Sequence, residues 1–230
     1  MEIGYLQKFS LIDYPGSICA TLFTRGCNFR CPYCHNPELV IGPPSDASPT
    51  TDDVLDFLEK RRGKLQAVTI TGGEPTIHGD RLLRFAAAVK EKELLVKVDT
   101  NGTMPDVLKN LIDEHLVDYI AMDVKGPLDA YSRLTCVNVD IESIRRSIEL
   151  IMTSAPDYEF RTTVARSLLS HDDLEETART IAGAKRYILQ KFVPSKTLDP
   201  AFMNEGTYDD EAFEVIMEKI RRWVPDTDLR

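Results

Sequence analysis

The 230-residue sequence predicts an α/β fold built on a parallel sheet. Two observations carry this. Strand-sized, β-rich runs at 17–24, 65–71, 94–99, 117–123, 158–164 and 186–192 alternate with segments of helical periodicity. The composition, 43% hydrophobic and 28% charged, supplies an ordinary core that needs no disulfide scaffold. The helical segments are 51–62, 80–92, 105–115, 141–153 and 172–184, and a last helix spans 208–223. Thr51-Asp52-Asp53 and Asp172-Asp173 supply start signals before apolar spacing. Six strands alternating with helices imply right-handed crossovers, in an open doubly wound sheet or in a barrel. In either architecture the loops that follow the strands gather at the carboxyl edge, where ligands bind. The Pro/Ser-rich stretch 42–49 reads as a surface loop rather than a domain linker.

A net charge of −9 and a pI of about 5.0 argue against a nucleic-acid footprint, and no Lys/Arg-rich run is visible. The expected partners are small molecules or another protein. No apolar run approaches membrane-spanning length. Met1-Glu2-Ile3-Gly4-Tyr5 lacks the basic region and apolar stretch of a signal peptide, so a reducing cytoplasm is the expected compartment. The five cysteines are an odd set, and three fall within eight residues, which reads as metal or redox chemistry rather than a disulfide framework.

Those three lie in Gly26-Cys27-Asn28-Phe29-Arg30-Cys31-Pro32-Tyr33-Cys34-His35-Asn36-Pro37, just after the first strand-like run. Spacings of two and three residues let one irregular loop present several thiolates to one iron–sulfur cube. Three ligands for four irons leave one iron open, and an open metal position marks chemistry rather than scaffolding. The competing reading, structural zinc, wants a fourth ligand, and only His35 is near, adjacent to Cys34 and poorly placed to close the same tetrahedron. Cys19 falls inside a strand and reads as a small buried hydrophobe, while Cys136 reads as an incidental thiol.

Cys-x3-Cys-x2-Cys with Tyr33 before the third cysteine resembles the radical S-adenosylmethionine (SAM) superfamily. Cys34-His35-Asn36-Pro37 narrows the resemblance to the activating enzymes of glycyl radical enzymes, those for anaerobic ribonucleotide reductase and pyruvate formate-lyase. The similarity runs in matching order from Asp13 to about Phe192. It implies a partial (β/α)6 TIM-type barrel as a single domain over 1–230, with its core at about 13–192. It also implies one 4Fe–4S cluster on Cys27, Cys31 and Cys34, and SAM as cofactor beside Tyr33 and His35. The implied partners are a glycyl radical enzyme, leaning toward anaerobic ribonucleotide reductase, and flavodoxin or ferredoxin as electron donor.

The later strand ends fill in the site. The glycines of Thr71-Gly72-Gly73-Glu74-Pro75 let backbone approach a ligand closely, and Glu74 offers an acceptor. By resemblance this is the element that binds the SAM amino group. Asp99-Thr100-Asn101-Gly102 suits an ordinary turn. The resemblance places Asn101 beside SAM and assigns Asp99, Thr100 and Asp123 to a monovalent cation. Asp123 and Lys125 are two apart and share a face of an extended segment. A surface ion-pair strip is the plain reading, and SAM contact is the implied one. Arg161, charged within a strand, needs a partner if buried, and the resemblance points it toward SAM. After the sixth strand the pyruvate formate-lyase activase has a histidine; here Gln190 is the substitute. Asp13, before Pro15-Gly16, is either part of a turn or a contact for the substrate peptide.

Two other readings stand beside the activase. One is a radical SAM enzyme acting directly on a small molecule or short peptide, because fold and cofactor do not fix substrate. The other is a non-catalytic iron–sulfur or zinc-binding protein.

Overall fold

The computed structural model describes residues 1–43 and 47–230. Positions 44–46 of the expected surface loop lie outside the described residues. One eight-stranded sheet organises the chain, with strands in sequence order. They are β1 (Ile3–Ser10), β2 (Cys19–Thr24), β3 (Ala67–Gly72), β4 (Leu95–Thr100), β5 (Tyr119–Asp123), β6 (Tyr158–Val164), β7 (Tyr187–Lys191) and β8 (Thr227–Leu229). β1 pairs antiparallel with β2, and every other pairing is parallel. A parallel sheet whose neighbours are consecutive in the chain puts all its crossovers on one face, so it curls as a barrel does. This decides between the two architectures that periodicity left open. No pairing joins β1 to β8 among the described residues, so the barrel is partial.

The helices are α1 (Pro37–Val40), α2 (Thr51–Lys60), α3 (Asp80–Lys90), α4 (Pro105–Asp113), α5 (Tyr131–Thr135), α6 (Ile141–Ser154), α7 (His171–Thr180) and α8 (Asp210–Ile220). α2 and α7 begin one residue before their acidic start signals. Thr50 and Ser170 accept from the backbone N–H of Asp53 and Asp173, whose carboxylates take the cap N–H in return. The expected ends of α3 and α4 overrun because Glu93 and His115 turn left-handed, at φ 60° and 55°. β1, β8, α1 and α5 were not expected. β1 is half exposed and interrupted by Gly4 and Lys8, so it shows little apolar alternation.

Alternation along the parallel strands sorts their side chains. Leu22, Ile70, Val98, Met122 and Phe160 belong to the large apolar core shared with the helices. The opposite face lines the barrel interior and is polar: Thr21, Thr69, Lys97, Asp99, Asp123 and Arg161. Only a small apolar cluster, Tyr14, Cys19, Ala67, Tyr119 and Ala121, fills its base. Among the described residues no helix is long and apolar enough to cross a membrane.

Candidate functional site

An open pocket of about 190 Å³ lies at the carboxyl edge of β2 to β6. Cys27, Cys31 and Cys34 line it from the loop after β2, with Tyr33 and His35 beside them. The loop is irregular because its backbone is pinned from outside. Arg30 N–H donates to Thr135 O at 2.8 Å, Asp199 N–H to Pro32 O at 2.9 Å, and Gly26 N–H to Leu39 O at 2.8 Å. Tyr33 packs edge-on against Phe192, and His35 stacks on the same ring at 5.3 Å. Burial, with Glu74 adding to it, pushes the Cys27 thiol up to about 12. Burial takes Cys31 to about 11, although Lys125 pulls the other way. Both are therefore thiols at neutral pH until a metal displaces the proton. Cys19 is fully buried in the barrel base and Cys136 is exposed beyond α5, so neither joins the trio.

The Gly72-Gly73-Glu74 segment lies against this loop. A Cβ on Gly72 would stand 2.4 Å from Thr24 N, and one on Gly73 would stand 2.0 Å from Gly26 O. Gly73 N–H donates to Thr24 O, and Glu74 N–H to Gly26 O. The space a side chain would take is thus filled by the protein's own backbone, while both glycines still line the pocket. They let β3 clamp the start of the cysteine loop. Glu74 is buried and engaged: Oε1 accepts from Thr76 N–H, Thr76 Oγ1 and Thr100 Oγ1, and Oε2 accepts one bond, from Asn101 N–H at 2.6 Å. Burial holds its carboxyl above the usual range despite these bonds. Asn101 Nδ2 donates to Asn28 Oδ1, and its own Oδ1 accepts from Thr103, so it laces the loop after β4 to the cysteine loop.

Across the interior runs a chain of alternating charges. Lys97 Nζ lies 2.7 Å from Asp99, Arg161 bridges Asp99 (3.3 Å) and Asp123 (2.9 Å), and Lys125 Nζ lies 3.2 Å from Asp123. Burial disfavours these charges, but Arg161 and Lys125 overrule it and hold the Asp123 carboxyl down to about 2. Asp99 is also lowered, by Arg161 and Lys97 against burial. The charge of Lys125 is opposed by burial and secured by Asp123. Asp99 and Asp123 therefore meet around a guanidinium, while Thr100 is turned to Glu74.

The chain separates two cavities. Asp99, Asp123, Lys125, Thr100 and Asn101 line the cysteine pocket. Arg161, Gln190 and Asp13 line a second cavity with Lys97, Glu159 and Asp99, bounded toward solvent by Ile12, Pro15 and Arg230. The structure thus brings Tyr33, His35, Gly72, Gly73, Glu74, Asn101, Asp123 and Lys125 together with the cysteines, and sets Arg161, Gln190 and Asp13 apart. Asp13 accepts from Thr21 Oγ1 at 2.7 Å, and its carbonyl accepts from Lys97 Nζ at 2.7 Å. Phe29, Asn36, Val40, Thr71 and Thr163 also line the cysteine pocket and had no motif to mark them. Thr163 is two residues beyond Arg161 on β6 and shares its face, a signal that alternation alone contains.

Among the described residues, no three His, Cys, Asp or Glu side chains are arranged to hold a single metal ion. His35, the candidate fourth zinc ligand, has Nε2 3.0 Å from Val193 O.

The sequence profile of the radical SAM superfamily matches residues 21–187. A Methanocaldococcus jannaschii protein named as a glycyl-radical enzyme activating enzyme is 36% identical over 207 residues, covering 87% of this chain and 83% of its own. A pyruvate formate-lyase-activating enzyme of Listeria monocytogenes is 28% identical over 133 residues, covering 54% of this chain and 53% of its own. Among solved structures, Streptococcus suis SuiB bound to S-adenosylmethionine superimposes with a TM-score of 0.66 at 15% identity. That match covers 89% of this chain but spans only 47% of SuiB, and it speaks to fold alone. With that profile matching most of the chain and a relative this similar over most of both lengths, the chain belongs to the radical SAM superfamily of enzymes.

Proposed function

We propose that this protein is a glycyl radical enzyme activating enzyme, which cleaves SAM reductively at a 4Fe–4S cluster and takes a hydrogen atom from one glycine of a partner protein. The observation that carries the reading is the donor set. Three thiols line one pocket, and every other candidate ligand beside them is already engaged: Glu74 by four hydrogen bonds and His35 at Val193. A three-thiol set leaves one iron open, as cofactor chelation requires. When bound and reduced, the cluster supplies one electron to the SAM sulfonium, and the resulting 5′-deoxyadenosyl radical abstracts hydrogen.

Cys27, Cys31 and Cys34 hold the cluster as thiolates. Lys125 places a fixed positive charge in the pocket, suited to the SAM carboxylate, with Asp123 and Arg161 keeping it oriented. Gly72, Gly73 and Glu74 offer backbone and carboxylate to the SAM amino group, and Tyr33, His35 and Asn101 complete the wall. Arg161 and Gln190 act on SAM through Asp123 and Thr163, which line the cysteine pocket and hydrogen-bond to them. Asp13, on the second cavity, would contact the partner protein away from its reacting glycine. A monovalent cation at Asp99 and Asp123 would share those carboxylates with Arg161. The identity of 36% with the archaeal protein over most of both chains favours an activase over a small-molecule enzyme. Anaerobic ribonucleotide reductase is the proposed partner, with flavodoxin or ferredoxin as donor and the cytoplasm as compartment.

The test is electron paramagnetic resonance after mixing the reduced, SAM-loaded protein with an anaerobic ribonucleotide reductase. A glycine-centred doublet is expected. A SAM-derived product with no protein radical, on this partner and on pyruvate formate-lyase, would favour the small-molecule reading.

A further inference from the structure

Four stretches meet around the cysteine loop: 25–37, 131–139, 162–171 and 192–198. Arg30 N–H donates to Thr135 O, Arg133 Nη1 donates to Leu168 O at 2.9 Å, and His35 Nε2 lies 3.0 Å from Val193 O. None of these 39 residues is Asp or Glu, although 37 of the 230 residues in the chain are acidic. Their exposed cations are Arg30, Arg133, Arg166 and Lys196, while Arg25 is buried. Lys196 is paired with Glu38 at 2.6 Å, whereas among the described residues Arg30, Arg133 and Arg166 enter no salt bridge. Arg30 Nη1 donates to the carbonyls of Cys27 and Phe29, so its charge sits on the cysteine loop itself. Acidic side chains return at the margins, as Glu38, Asp140, Asp172 and Asp199, with Glu205 near Arg166. Val193, 61% exposed, adds an apolar contact beside His35.

A molecule of net charge −9 thus carries three exposed arginines outside any described salt bridge on and around the loop where its redox centre would sit. Such a face steers and orients an acidic protein, while the rest of the surface repels it. The demand for such a partner follows from the proposed function, on which this inference rests. Each turnover needs one electron from outside, because Cys19 and Cys136 are isolated and supply no second redox group. We propose that this face docks an acidic one-electron carrier of the flavodoxin class, with Arg133 and Arg166 flanking Arg30. One electron leaves the carrier's flavin hydroquinone, which becomes the semiquinone, and the cluster passes from the 2+ to the 1+ state.

The test compares the cluster-loaded wild type with the Arg133→Glu/Arg166→Glu double variant. Reduction by photoreduced bacterial flavodoxin is followed by bleaching of the cluster absorbance, and flavodoxin binding is followed by calorimetry. Wild-type reduction should slow as salt is raised, and the variant should react and bind about tenfold more weakly or worse, with dithionite bleaching both proteins alike. Equal flavodoxin rates and affinities in the two proteins overturn the proposal. So does equal loss with both reductants, which marks damage to the cysteine loop. Normal reduction by flavodoxin with lost glycyl radical formation also overturns it, and assigns the face to the protein substrate. A wild type that binds flavodoxin yet shows no reducible cluster sinks the proposed function instead, while the binding comparison still judges the face.

Discussion

At Gly73 the constraint is a single missing methyl. Its Cα stands so close to Gly26 O that a Cβ would lie 2.0 Å away, and the neighbour is backbone, which cannot swing aside. Gly73→Ala should therefore push β3 away from the cysteine loop. The expected cost is about 1–3 kcal/mol of stability by overpacking, together with reduced iron uptake on reconstitution. Thermal unfolding and iron analysis check this, and unchanged values for both would remove the clamp from the account. Gly73 was legible in the sequence as functional, but its reason was not. A Gly-Gly pair signals close approach, and only three-dimensional placement says whether a ligand or the chain itself approaches. Glu74 and Asn101 teach the same lesson. Both were legible as site residues, yet their hydrogen bonds to Thr76, Thr100 and Asn28 link loops that are far apart in sequence.

Among the elements, the ladder across β4, β5 and β6 dominates the interior. Lys97 and Asp99 on β4, Asp123 at the end of β5 and Arg161 on β6 are brought level by strand register, which aligns Asp123 with Arg161. A β-strand period of two made Asp123 and Lys125 neighbours on paper, and it could not tell that Arg161 would lock onto both aspartates. Asp123 is held down to about 2, with Arg161 and Lys125 outweighing burial, and Asp99 is lowered as well. A carboxylate lowered in the folded state stabilises fully above its ordinary value of about 4 and loses that contribution as pH falls toward about 2. The metal-free protein should accordingly lose urea resistance steeply over that window. Arg161→Gln should cost about 3–5 kcal/mol at neutral pH, by stranding buried carboxylates, and should flatten the acid slope. An identical slope in both proteins would contradict the ladder's role.

For the whole molecule, the order of the six central strands and the gathering of their loops at one edge were legible, because apolar runs and helical periodicity alternate cleanly. The edges were not. β1 buries little and β8 has three residues, so neither writes a pattern strong enough to read. The division of the interior into two cavities was also invisible, since it depends on which polar side chains meet across strands, and it puts Gln190 and Arg161 on the second cavity, each one hydrogen bond from the lining of the cysteine pocket.

The central claim is that Cys27, Cys31 and Cys34 alone anchor a cluster with one open iron. Its most direct measurement is 5′-deoxyadenosine released from SAM by the anaerobically reconstituted, dithionite-reduced protein, read beside iron content. Wild type, Cys19→Ala and Cys136→Ala should carry about four irons per chain and release the nucleoside, while alanine at position 27, 31 or 34 should abolish both. Full iron loading with no 5′-deoxyadenosine, or iron retained after loss of any of the three thiols, would contradict it.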